Sequence, residues 1–235
     1  MTFERRPILA LLAAASLFAA GTAPAADYDS AVSAANKGDY IAAAAEFRHL
    51  AAEGDPRGEN GLGVLYANGL GVDKDAKQAA QWFAKAAEKG HKAAENNLGE
   101  LYLAGNGVDK DYALAERWFR KAAAQGDSDA QKNLGLMYAN GFGVKKDFTK
   151  AMDWFQRSAK QGNAAGQANV GHLFRTGDGV ARDYLMAYAW YGVAAAGNYP
   201  GAPQFRDSVA QYLTSEELQA ARDLARQLFI KYGSK

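Results

Sequence analysis

Three histidines, His49, His91 and His172, are the side chains best suited to move a proton or hold a metal near neutral pH. They lie far apart in the chain, with no His-Glu-x-x-His arrangement and no ligand spacing. A serine nucleophile of the penicillin-recognising type needs Ser-x-x-Lys; the nearest approach is "RSAKQG", where Lys160 follows Ser158 by two residues instead of three. Cysteine is absent, which excludes thiol chemistry and cysteine-ligated metals. The loops "GLGVDKD" and "GNGVDKD" pair glycines with acids and so resemble phosphate or calcium sites. A phosphate cradle, however, needs its glycine loop after a strand and before a helix, and these loops follow helical patterns. A calcium loop would keep both aspartates, but Lys145 and Ala181 replace the first in later copies. Asp75, Asp111, Asp147 and Asp183 remain in all four copies, each directly before an apolar-periodic run, the position of a helix N-cap. The expectation is no catalytic residue, no metal and no cofactor.

The loops repeat because the whole chain repeats. "YANGLGVDKDAKQAAQWFAKAAEKG", residues 66–90, returns 36 residues later as "YLAGNGVDKDYALAERWFRKAAAQG", then as "YANGFGVKKDFTKAMDWFQRSAKQG" and, more worn, as "FRTGDGVARDYLMAYAWYGVAAAGN". Trp82, Trp118, Trp154 and Trp190 fall on this period and are all the tryptophans present. A period of this length marks a stacked-repeat architecture.

Each unit divides into two helices. In the second copy Ala94, Leu98, Leu101, Tyr102 and Gly105 recur at helical spacing on one face. Gly99 sits beside them, and a mid-helix glycine costs about 1 kcal/mol against alanine. Its equivalents Gly63, Gly135 and Gly171 carry the same cost, so a neighbouring backbone is expected to pack close there. The glycine loop takes positive φ to leave the first helix. The second helix then turns Ala115, Trp118, Phe119, Ala122 and Ala123 inward, with the Trp-Phe pair as core, and Gln78 stands at capping-box distance from Asp75. One such pair cannot bury its aromatic face alone, whereas stacked copies bury one another's. The expected fold is all-α, a right-handed α-solenoid of stacked antiparallel helix pairs. Its divisions are a capping pair over 26–56, repeats over 57–92, 93–128, 129–164 and 165–200, and capping helices over 201–235. In the last segment Phe205, Val209 and Tyr212 are expected inward, and Thr214 and Glu217 form a capping box.

Residues 1–25 read as a secretory signal peptide, with Arg5 and Arg6, the apolar run Ile8–Ala20 and the small-residue site Ala23-Pro24-Ala25. Cleavage after Ala25 implies a periplasmic or secreted protein; an uncleaved anchor is the competing reading. Removing Glu4, Arg5 and Arg6 lowers Lys plus Arg from 27 to 25 and Asp plus Glu from 26 to 25. A neutral chain argues against nucleic acid or an anionic membrane as main partner. No later stretch is apolar enough to insert into a bilayer.

Leu-Gly, Tyr, the Gly-x-Gly loop with valine, the aspartate, Trp-Phe and Ala-Ala-x-x-Gly in "AENNLGELYLAGNGVDKDYALAERWFRKAAAQG" resemble the Sel-1-like repeat, the 36-residue relative of the tetratricopeptide repeat. The resemblance covers residues 57–200. It implies an adaptor or scaffold for another protein or an extended peptide, and in exported bacterial members a role in signalling or the envelope. Some cysteine-rich relatives were described as β-lactamase-like; this chain lacks their cysteines and departs from that subgroup, so a β-lactam or cell-wall hydrolase stands only as an alternative, and a self-assembling spacer is another. In the superfamily the first helices line a concave groove. Helical geometry places Asn96, Glu100 and Leu103, then Lys132 and Leu136, then His172 and Arg175 opposite the core positions. Asn97, Asn133 and Asn169 form a stepped row at their flank that would hydrogen-bond a peptide backbone.

Overall fold

A computed structural model describes residues 25–233. The expected signal peptide falls outside them but for its last residue, Ala25. Among the described residues there are twelve α-helices and no strand, and no helix is long and apolar enough to cross a membrane. The chain forms two compact units, one ending at Ala122 and one beginning at Ala123.

The first unit contains α1 (Ala25–Asn36), α2 (Tyr40–Ala52), α3 (Pro56–Asn68), α4 (Ala76–Glu88), α5 (Lys92–Ala104) and most of α6 (Tyr112–Ala124). The second holds α7 (Ser128–Asn140), α8 (Phe148–Lys160), α9 (Ala164–Thr176), α10 (Tyr184–Ala196), α11 (Ala202–Ala210) and α12 (Ser215–Tyr232). Within each unit helices pack mainly on their chain neighbours, the stacked helix pairs that the 36-residue period implies, and α12 turns back to lie along α10.

Caps punctuate the stack as expected. The Asp75 carboxylate accepts from the amides of Lys77 (2.9 Å) and Gln78 (3.0 Å), Asp111 from Ala113 and Leu114 (both 2.9 Å), Asp147 from Lys150 and Asp183 from Met186. Thr214 and Glu217 bond reciprocally as a capping box. Gln78 does not complete one: its side-chain amide donates to the Asp75 carboxylate instead of leaving its oxygen for the cap backbone. The first helices carry their own caps at the same period, Asp55, His91, Asp127 and Asn163.

The mid-helix glycines face side chains. A Cβ on Gly63 would stand 2.5 Å from the Phe83 ring, one on Gly99 2.7 Å from Phe119, and one on Gly135 2.5 Å from Phe155. At these three positions the close neighbour is the phenylalanine ring of the same repeat, not the backbone expected from the sequence. At Gly171 the nearest atoms include backbone, the Ala187 carbonyl at 3.2 Å, beside the Tyr191 ring at 3.1 Å. Phe83, Phe119, Phe155 and Tyr191 are almost wholly buried, each contributing about 2 kcal/mol by leaving water.

The tryptophans depart from expectation in the same way. Trp82, Trp118 and Trp154 are half-buried at the cluster margin, and Trp190 alone is buried. Each half-buried indole lies under the cation three residues on: Lys85 at 3.9 Å, Lys121 at 4.2 Å and Arg157 at 4.7 Å from the ring centroid. In the fourth copy that position is Val193, and Tyr232 of α12 stacks on Trp190 instead, with ring centroids 6.1 Å apart. In the closing segment Val209 points inward, but Phe205 and Tyr212 are 47% and 58% exposed, their rings laid against Tyr191 and Tyr184. The reason is the shortness of α11, nine residues with one apolar flank against α10.

Candidate protein-binding surface

The first helices of the repeats lie deep. In α3 every residue from Gly58 to Leu65 is buried, and in α5 every residue from Ala93 to Gly99. A helix buried all round has few side chains left to read a partner. The polar residues on these helices are therefore largely committed to bracing the stack.

In the first unit Asn97 is buried and its amide donates to Asn60 Oδ1 at 3.1 Å, joining α5 to α3. Asn96 is buried too, with its amide 3.3 Å from Glu100 Oε1 on the next turn, and Leu103 is 7% exposed. Glu100 is half-buried. In the second unit Asn133 is fully buried, while Lys132 and Leu136 are half-buried. The Asn169 amide donates to the Ala165 carbonyl of its own helix at 2.9 Å. His172 Nδ1 and Arg175 Nη2 stand 3.3 Å apart. Burial, and then the Arg175 charge, hold His172 below its ordinary pKa, so its ring is neutral near pH 7 and accepts from the guanidinium. The half-buried members, Glu100 on one unit and Lys132, Leu136, Asn169, His172 and Arg175 on the other, keep part of their surface in water.

A second periodic bracing was not read from the sequence. Buried Glu59 accepts from Lys89 Nζ at 2.6 Å, and Lys89 also donates to the Gly54 carbonyl. The same pair of positions in the second unit is Gln131 and Gln161, joined at 2.8 Å. In the last copy residue 197 is glycine, and Gln167 instead donates to the Tyr232 carbonyl at 2.8 Å. The polar pair 30 residues apart, recurring at the repeat period, was the available signal.

The loops hold a further contact. Gly71, Gly107 and Gly179, the second glycines of their loops, lie against the first residue of the preceding repeat's second helix. A Cβ on Gly107 would come 2.1 Å from the Ala76 carbonyl oxygen, and one on Gly179 would come 2.5 Å from the Phe148 carbonyl carbon. The loop glycine is thus required by packing between repeats as well as by its φ of 76° at residue 107. Among the described residues no three His, Asp or Glu side chains come together in a way that could hold a metal ion.

The Sel1 repeat family model matches residues 56–91, 92–127, 128–163 and 164–199. Among solved structures the chain is similar to a protective antigen present in uropathogenic Escherichia coli strains that displays an SLR fold. They share 37% identity over 82% of this chain and 42% of that one, with a TM-score of 0.78. The chain spans about two fifths of that antigen's length. It is also similar to a Sel1 repeat protein from Oxalobacter formigenes, with 31% identity over 85% of this chain and 98% of that one and a TM-score of 0.66. No functionally curated protein matches the chain.

Proposed function

Because the chain belongs to the Sel1 repeat family, whose fold is typical of protein-interaction scaffolds, we propose that it is an exported, non-enzymatic adaptor that binds another protein or an extended peptide. The observation that carries this reading is the division of labour among its polar side chains. Asn97 and Glu59 are consumed by bracing, whereas Glu100, Lys132, His172 and Arg175 keep part of their surface in water. Each of those four can donate or accept a hydrogen bond, and Leu136, one turn after Lys132 on α7, offers apolar area to a peptide side chain. Export is supported by the layout of residues 1–25 and by likeness to a protein described as a protective antigen.

Crosslinking in the native cell envelope followed by mass spectrometry identifies the partner. Glu100→Lys and Lys132→Glu are then each expected to weaken its capture at least tenfold while helicity and melting stay as in the parent. Unchanged capture with both variants, or loss of capture from outward substitutions at Gln81 or Arg117 alone, refutes the assigned surface.

A further inference from the structure

The second unit contains a cleft between α10 and α12. Tyr188, Gly192 and Ala196 lie four residues apart along α10, and Ala225, Phe229 and Ile230 of α12 face them across a cavity of about 540 Å³. That volume lies in the range of small-molecule sites, about 300–1,000 Å³. The walls are mostly apolar, and part of that surface is left in water: Phe229 is 42% exposed and Ile230 85%. At the floor a Cβ on Gly192 would stand 3.2 Å from Ala225 Cβ, so the two helices touch there and the cleft opens beyond that contact.

Three arginines surround this apolar space. Arg206 is paired with Asp207 (Nη2–Oδ1 2.8 Å), and its guanidinium lies 5.9 Å from the Tyr188 ring centroid. Arg226 is paired with Asp223 at 2.6 Å. Arg222 is exposed and has no acidic partner among the described residues. Two carboxylates thus answer three guanidiniums, leaving one positive charge at the mouth of a greasy cleft.

The geometry points to a binding site in this cleft for a free long-chain carboxylate, its alkyl chain laid between α10 and α12 and its head group on Arg222. The single unanswered guanidinium matches one anionic head and offers it two parallel N–H donors. The open side at Ile230 admits an unbranched chain end-on. This site is separate from the surface proposed for a protein partner, and its test does not depend on that partner.

Isothermal titration of the mature chain with monomeric decanoate and dodecanoate decides the matter. Each methylene that enters the cleft is worth about fourfold in Kd, so dodecanoate, two methylenes longer, is expected to bind roughly fifteenfold more tightly than decanoate. Dodecyltrimethylammonium, whose alkyl tail is one carbon longer and whose charge is opposite, is expected to bind at least tenfold more weakly than dodecanoate. Arg222→Glu and Ile230→Asp, both at exposed positions, are expected to weaken dodecanoate at least tenfold without lowering the melting temperature. Four outcomes overturn the proposal. They are equal affinity for the cationic and anionic amphiphiles, parental affinity in both variants, binding to phosphatidylglycerol vesicles without binding to monomeric dodecanoate, and a ligand-free dimer that Ile230→Asp dissociates.

Discussion

His91 caps α5 where the other repeats use Asp55, Asp127 and Asn163, and this substitution makes one helix sensitive to mild acid. Its Nδ1 accepts from the Ala94 amide at 3.3 Å, which only a neutral ring can do. Burial pushes its pKa down to about 4; Asp55 pulls the other way, and Arg57 and Lys92 add to the depression. The folded chain therefore resists a proton that the unfolded chain accepts near 6.5. This contribution is fully present above 6.5, falls as pH drops, and is lost below 4. A shift of this size corresponds to about 3 kcal/mol in total, of which about 2 kcal/mol disappears between pH 7 and pH 5. The window stops at pH 5 because carboxylates titrate below it. Asp55, which burial alone would raise, is held below its ordinary value by bonds from Arg57, and Asp75 and Asp147 are lowered by the helix amides they cap. His91→Asn supplies a cap that does not titrate, as Asn163 does on Gly166 at 2.9 Å. Urea unfolding of both proteins at pH 7, 6 and 5 should show the parent losing about 2 kcal/mol more than the variant. Parallel stability curves, or a ring titrating near 6.5 by NMR in the folded chain, refute the reasoning.

Other perturbations probe the bracing. Gly107→Ala should cost at least 2 kcal/mol more than Gly126→Ala in thermal or urea unfolding, because both have positive φ but only residue 107 presses on a neighbouring helix. Equal costs would mean the loop does not transmit packing. Lys89→Met leaves the Glu59 carboxylate buried without its cation and should cost about 2–3 kcal/mol, less than a fully enclosed pair because Lys89 is partly in water. The double variant Glu59→Gln/Lys89→Gln, which reproduces the Gln131–Gln161 pair, should instead lose little; a loss as large as that of Lys89→Met in urea midpoint counts against the equivalence.

Period and residue type alone determined a good deal. Any 36-residue copy carrying a capping aspartate, a glycine loop and an Ala-rich amphipathic run must form a helix pair, since local propensities and hydrophobic spacing agree. The caps at Asp75, Asp111, Asp147 and Asp183 and the box at Thr214 were legible because a cap bonds within its own turn. What a side chain meets across helices was not legible, because helical phase gives direction without distance. Hence the glycine at 99 could be seen to need a close neighbour but not that the neighbour is Phe119. Trp118 could be placed on the inner flank but not at the margin under Lys121. The groove row shows the same limit: Asn97 points where phase puts it, yet the α3–α5 packing brings Asn60 within 3.1 Å and engages it. Only the tertiary structure decided which polar groups brace the stack and which still face water, because that depends on how closely neighbouring helices approach, and sequence phase contains no such length.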